Sequence, residues 1–242
     1  MSKVVTTTVL PRDGFDTLNI GATGDTVAIA GDSLNTNVLQ DAGGNNIFTS
    51  SSGTVSSTAL QGSLQLLSTQ TPSNSASVSF TSGLDSTYDV YIFKFIDINP
   101  ATDAADLTFQ VSTDGGSTYG EYITSTFFYA YHFDSTGEGL NYWAAGDLAQ
   151  STSYQKLVTS TANDADASCV GELHLFAPSS TTYVKQFYST MTSMFSGSGA
   201  VGTENDYVAG YVNITPAVNA INFKMDSGNF DGIIKLYGIS KT

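Results

Sequence analysis

Positive charge is what this chain has least of. Lys and Arg together number 8 in 242 residues, against 22 Asp and Glu, for a formal net charge of −14. The sole arginine is Arg12. Nucleic acids and anionic membranes are bound through clustered Lys and Arg, so both are poor partners for this surface. A single cysteine, Cys169, excludes an intrachain disulfide and any cysteine-built zinc or iron–sulfur centre. Apolar runs such as Tyr91-Ile92-Phe93 and Ile233-Ile234 are only a few residues long, whereas a membrane-spanning helix needs about 20. Residues Met1 to Thr17 hold no apolar core of signal-peptide length, and Pro11, Arg12 and Asp13 interrupt what begins there. Charged residues make up 12% of the chain, about half the usual share. Solubility therefore rests on neutral Ser, Thr, Asn and Gly. The 40% apolar content excludes a disordered acidic tail. A thiol-poor chain with the Ser/Thr/Gly/Tyr texture of extracellular proteins fits one made in a host cytoplasm and released by lysis, as virion components are.

Apolar residues recur at spacing two rather than at three and four, which marks strands rather than helices. The run from Tyr88 to Ile98 puts Tyr88, Val90, Ile92, Ile96 and Ile98 on one face and Tyr91, Phe93 and Phe95 on the other. With both faces largely apolar it reads as a central strand. Leu107–Val111 alternates and ends at Ser112-Thr-Asp-Gly-Gly116, whose glycines suit a tight hairpin to a return strand over about 121–133. After a Gly-rich loop at 137–146, further strands are expected at 155–159, 171–177, 182–189, 207–214, 217–225 and 232–239. Turn signals at Pro178-Ser-Ser, Gly197-Ser-Gly, Thr215-Pro216 and Ser227-Gly228-Asn229 separate them. Many short strands without intervening helices indicate an all-β antiparallel sandwich, jelly-roll-like, over residues 64–242.

Residues 1–63 read differently. Their hydrophobes are sparse and small, and Gly-Asp pairs punctuate short strands such as Thr26–Ile29 and Val38–Gln40. Such a segment buries too little apolar area to offset ordering entropy of roughly 1–2 kcal/mol per residue. It is expected to order only against neighbours, as an extended β-arm for attachment or oligomerisation. Residues 70–77 read as a linker.

The strings from Ile20 to Leu34 and from Leu39 to Ser57 resemble leader segments of structural proteins of tailed bacteriophages, marine ones especially. The stretches Phe80–Tyr119 and Leu175–Phe187 are similar to the bodies of such proteins. The resemblance implies a virion protein of the tail-fibre or capsid-decoration type, exposed on the particle and self-associating.

Catalytic sets are thin. The only histidines, His132 and His174, sit in strands without a nucleophile-elbow serine nearby. The four glutamates, Glu121, Glu138, Glu172 and Glu204, cannot be paired across a cleft from sequence. No enzyme and no organic cofactor are therefore expected. Calcium needs only carboxylates and carbonyls, and Asp97, Asp103 and Asp106 around Asn99-Pro100 form one candidate set, with Asp164 and Asp166 a second. Saccharides stack on aromatic rings and bond to Asp, Asn and Gln. The loop residues Asn141, Tyr142 and Trp143 with Asp147 offer those groups, and Tyr129 and Tyr131 could extend the platform. The expectation is a non-enzymatic adhesin that attaches to host glycans, with capsid decoration and a free carbohydrate-binding module as alternatives. Its partners would be other virion proteins, through the arm, and further copies of itself, a trimer being favoured.

Overall fold

A computed structural model describes residues 38–40, 46–51, 54–56, 63–197 and 200–241. The chain divides into two compact units, residues 1–60 and 61–242. In the first, β1 (Val38–Gln40), β2 (Asn46–Ser51) and β3 (Thr54–Ser56) form an antiparallel sheet in the order β1-β2-β3. The strand expected at Thr26–Ile29 lies outside the described residues.

The second unit is all-β and antiparallel, and no helix occurs among its described residues. Its strands are β4 (Leu64–Gln70), β5 (Val78–Phe80), β6 (Val90–Pro100), β7 (Leu107–Ser112), β8 (Ile123–Phe133), β9 (Glu138–Tyr142), β10 (Gln155–Lys156), β11 (Cys169–Phe176), β12 (Lys185–Gly197), β13 (Ala200–Val212), β14 (Ala220–Met225) and β15 (Phe230–Ile239). A large sheet runs β4-β15-β6-β11-β12-β13-β8-β9 and a small one runs β10-β7-β14-β5. Setting aside the hairpins β8–β9 and β12–β13, eight strands remain, and they pair in nested fashion. The first joins the last (β4 with β15), the second the penultimate (β5 with β14), then β6 with β11 and β7 with β10. A long hairpin rolled upon itself gives this nesting, which defines a jelly roll.

The sheets pack face to face through aromatic side chains. Phe223 of β14 meets Phe93 and Phe95 of β6, both at 5.1 Å between ring centroids, and Phe109 of β7 meets Phe187 of β12 at 5.1 Å. All three contacting pairs are edge-to-face, the geometry that ring quadrupoles favour. Every residue of β7 is buried, although Thr108, Gln110 and Ser112 point away from the core. Their polar groups are satisfied locally. Thr108 Oγ1 donates to the Lys224 carbonyl, and Gln110 Nε2 donates to the carbonyls of Glu121, Thr152 and Ser153.

The stretch read as a Gly-rich loop at 137–146 contains β9, paired with β8, and three further local expectations change. The turn at Asp114-Gly115-Gly116 forms, with both glycines at positive φ. However, β7 does not pair with β8 as a hairpin: the chain crosses to the other sheet, where β8 lies between β13 and β9. Residues 70–77 are not an interdomain linker, because β4 is the first strand of the roll and Ser75 bridges back to Phe230. Ile98 leaves the face predicted for it and enters the core beside Tyr91, Phe93 and Phe95. A bulge at Asp97, whose φ is +50°, reverses the alternation, and β15 yields at Gly232, φ +137°. A Cβ on Gly232 would lie 2.8 Å from the Asp97 carbonyl oxygen, so glycine is required there.

Candidate functional site

The small sheet is four strands wide and the large one eight, so part of the large sheet's inner face lacks a facing strand. That part is the extension formed by β13, β8 and β9. The segment 143–168 covers it instead, tied down by main-chain bonds from Trp143 N to Phe127 O, from Ser125 N to Leu148 O and from Ala162 N to Met194 O. Cover by an irregular segment is less complete than cover by a sheet. It leaves a cavity of about 310 Å³, within the size range of small-ligand sites. Its lining comprises Tyr129, Tyr131 and Phe133 of β8, Asn141 of β9, Phe195 of β12, Glu204 of β13, and Trp143, Thr159 and Ser160 of the covering segment.

Strand alternation explains the aromatic wall. Tyr129, Tyr131 and Phe133 are spaced by two and share the inner face of β8. Tyr131 and Phe133 rings lie 4.9 Å apart, and Phe133 stacks on Phe195 at 5.9 Å. Trp143 is wedged edge-to-face between Phe127 at 4.9 Å and Tyr129 at 6.5 Å. The Lys156 ammonium lies over its ring at 4.9 Å and forms an ion pair with Asp106.

The polar wall is formed by acids. Glu204 and Asp206 alternate on the inner face of β13, 2% and 0% exposed. Glu204 Oε1 and both Asp206 carboxylate oxygens are buried, and apart from each other and the Thr159 main-chain N–H beside Asp206 they have no hydrogen-bonding partner. Burial raises both pKa values, and the contact between the acids raises Asp206 further by making it the proton donor to Glu204. Two ionised carboxylates cannot share so dry a place, so the pair holds one proton between them. Asp106 is also raised by burial, an effect opposed by Lys156 and by the Ser160 main-chain N–H.

The structure divides the residues picked from sequence. Asn141 and Trp143 line the cavity, as do Tyr129 and Tyr131. Tyr142 faces the opposite side of the sheet, where its hydroxyl donates to Asp147 and its side chain is largely exposed. The calcium set does not converge. Asp97 is exposed at the bulge, Asp103 is exposed in a turn, and Asp106 is buried against Lys156. Among the described residues no group of three His, Cys, Asp or Glu side chains is placed to hold a metal ion. His174 Nε2 lies 2.8 Å from Glu172 Oε1 and its ring stacks on Tyr188 at 4.5 Å. His132 Nδ1 lies 2.7 Å from the Phe133 carbonyl oxygen. Burial pushes the Cys169 thiol up to about 12, which leaves it unreactive.

Glu204 and Asp206 escape a reading of composition. The signal that finds them is register: counting back by two from Val212 and Val208 along β13 places Asp206 and then Glu204 on the core face. The same count puts Tyr207 on the outer face, stacked at 5.0 Å on Phe128. That outer face also exposes Leu140, Tyr142 and Tyr188.

Comparison with family models, with curated proteins and with solved structures finds no match.

Proposed function

We propose that this chain is a non-enzymatic structural protein of a tailed-phage particle, displayed on its surface, whose sandwich body attaches to host glycans through the cavity under β8 and β13. The observation that carries this reading is the cavity itself. It joins a row of aromatic rings to Asn141, Ser160 and Glu204, and sugar rings are recognised by stacking on such faces while their hydroxyls bond to such polar groups. The acid pair supports binding over cleavage. Glycoside hydrolysis needs two carboxyls about 5 Å or more apart, flanking the scissile bond. Glu204 and Asp206 instead lie on one strand and share a proton. A weak single site suits display in many copies, because each bound copy raises the effective concentration of the next. The arm of residues 1–63 supplies the tether, and a closed trimer the display.

Capsid decoration is the second reading, and the outer face of the large sheet favours it. Eight strands spaced about 4.8 Å apart make a surface nearly 40 Å wide. Exposed rings and aliphatic side chains on that scale mark a contact surface. The test is a glycan array probed with the intact chain and with Tyr131→Ala, together with labelled protein imaged on whole particles. Binding that Tyr131→Ala weakens by ten-fold or more, with label at the tail tip, supports adhesion. Label over the whole shell with no glycan bound supports decoration instead.

A further inference from the structure

We propose that the cavity is built for a positively charged ligand, the ammonium group of an amino sugar, with Glu204 as its anchor. The inference rests on the glycan-binding reading of the same cavity and narrows it to one chemical class.

Glu204 is 2% exposed, lines the cavity, and leaves Oε1 without a partner. Behind it Asp206 is fully buried, its carboxyl engaged with Glu204 and with the Thr159 main-chain N–H. Buried polar atoms are almost always satisfied, and unpaired ones mark a place where something else belongs. The titratable groups that act on the pair are Asp106 before β7, Tyr129 from β8 and Cys169 from β11, with Tyr131 sharing the cavity wall. Lys156 is already spent on Asp106, with Asp226 at 3.9 Å, and makes no ion pair with Glu204. The pair therefore has a carboxylate's worth of negative charge and no cation of its own among the described residues.

The remaining wall completes the case. Tyr131, Phe133 and Phe195 line the same cavity, and the π-electron density of aromatic rings attracts organic cations. A neutral sugar hydroxyl could donate to the Glu204 carboxyl, but it would leave the negative charge uncompensated. An ammonium group at Glu204 answers that charge, and the proton held between the acids stays in place.

Calorimetric titration of the intact chain at pH 7 tests this, with glucosamine, N-acetylglucosamine, glucose and tetramethylammonium chloride as probes. Glucosamine is expected to bind at least ten-fold more tightly than either neutral sugar, and tetramethylammonium to compete with it. Added salt should weaken glucosamine binding and leave the neutral sugars unaffected. Glu204→Gln should erase the preference while the near-ultraviolet dichroism keeps its native shape, and the salt dependence in the parent chain provides a readout that needs no variant. Equal binding of glucose and glucosamine, or a preference that survives Glu204→Gln, overturns the inference and leaves the adhesin reading standing. Binding of tetramethylammonium with no sugar bound upholds the cation site and sinks the adhesin reading. Binding of no probe overturns both.

Discussion

The two halves of the large sheet obey the same strand alternation and end in different states. Where the small sheet faces it, the inner side chains of β6 and β11 are Tyr91, Phe93, Phe95, Leu173 and Leu175, all sealed in the core. Where it extends past that cover, the equivalent positions on β13 and β8 carry Glu204, Asp206, Tyr129 and Tyr131, and a cavity remains. A sheet covered by a sheet closes because two regular surfaces interdigitate. A sheet covered by a loop closes only in part, and polar groups beneath it can be kept for binding. In this molecule the sealed core and the cavity occupy different halves of one sheet.

Substitutions should separate the halves by size of effect. In the sealed half, Phe93→Ala or Phe223→Ala removes a ring from a packed cluster and should cost about 3–5 kcal/mol in denaturant unfolding. Glycan binding by the fraction that remains folded should be unchanged. A smaller loss, about 1–3 kcal/mol, is expected of Gly232→Ala, which forces a Cβ into the Asp97 carbonyl at φ +137°.

In the extension the sign reverses. Glu204 and Asp206 are raised in the folded chain and titrate near pH 4 when unfolded. Between that value and their raised range the folded state holds a proton that the unfolded state has released. Stability therefore falls as pH rises through the window. The lowered acids Glu172 and Asp85 act in the opposite direction, but their window closes below about pH 5. Thermal unfolding without ligand should thus give a lower Tm at pH 8.5 than at pH 5.5. Asp206→Asn supplies an amide N–H in place of the shared proton and should flatten that slope, gaining about 1–3 kcal/mol at pH 8.5. A slope that Asp206→Asn leaves untouched would mean the pair is not where the proton resides.

The smallest effect is expected of Tyr142→Ala. Its side chain lies on the outer face, so stability should move by no more than about 0.5 kcal/mol and glucosamine binding should stay as it was. On the decoration reading, contact with particle components, read by sedimentation or by particle decoration, should weaken.

How much was legible in the sequence follows the same division. Period-two runs located six of the eight strands of the roll, since alternation is a local property, and the run around Phe93 announced its core role, whereas β4, β5 and the short β9 carried no such run. Pairing partners were not legible: Asp114-Gly115-Gly116 specifies a turn, but nothing local says that the strand after it joins the other sheet. The bulge at Asp97 was equally silent, because an acid at positive φ has no distinct sequence mark. At the site, the aromatic residues around Trp143 stood out by composition, while two acids two residues apart in a strand look like solvent-facing charge until register is counted from Val208. Asn141, Tyr142 and Trp143 are consecutive, and adjacency hid the fact that Tyr142 must point to the opposite face.

The chain's single tryptophan, Trp143, lines the cavity and reports on it directly. Its fluorescence, followed while glucosamine is titrated into the intact chain, should change saturably with the same midpoint as the calorimetric heat, and the change should vanish in Glu204→Gln. Glucosamine that binds by calorimetry while the Trp143 emission stays flat would place the ligand elsewhere and contradict the assignment of this cavity.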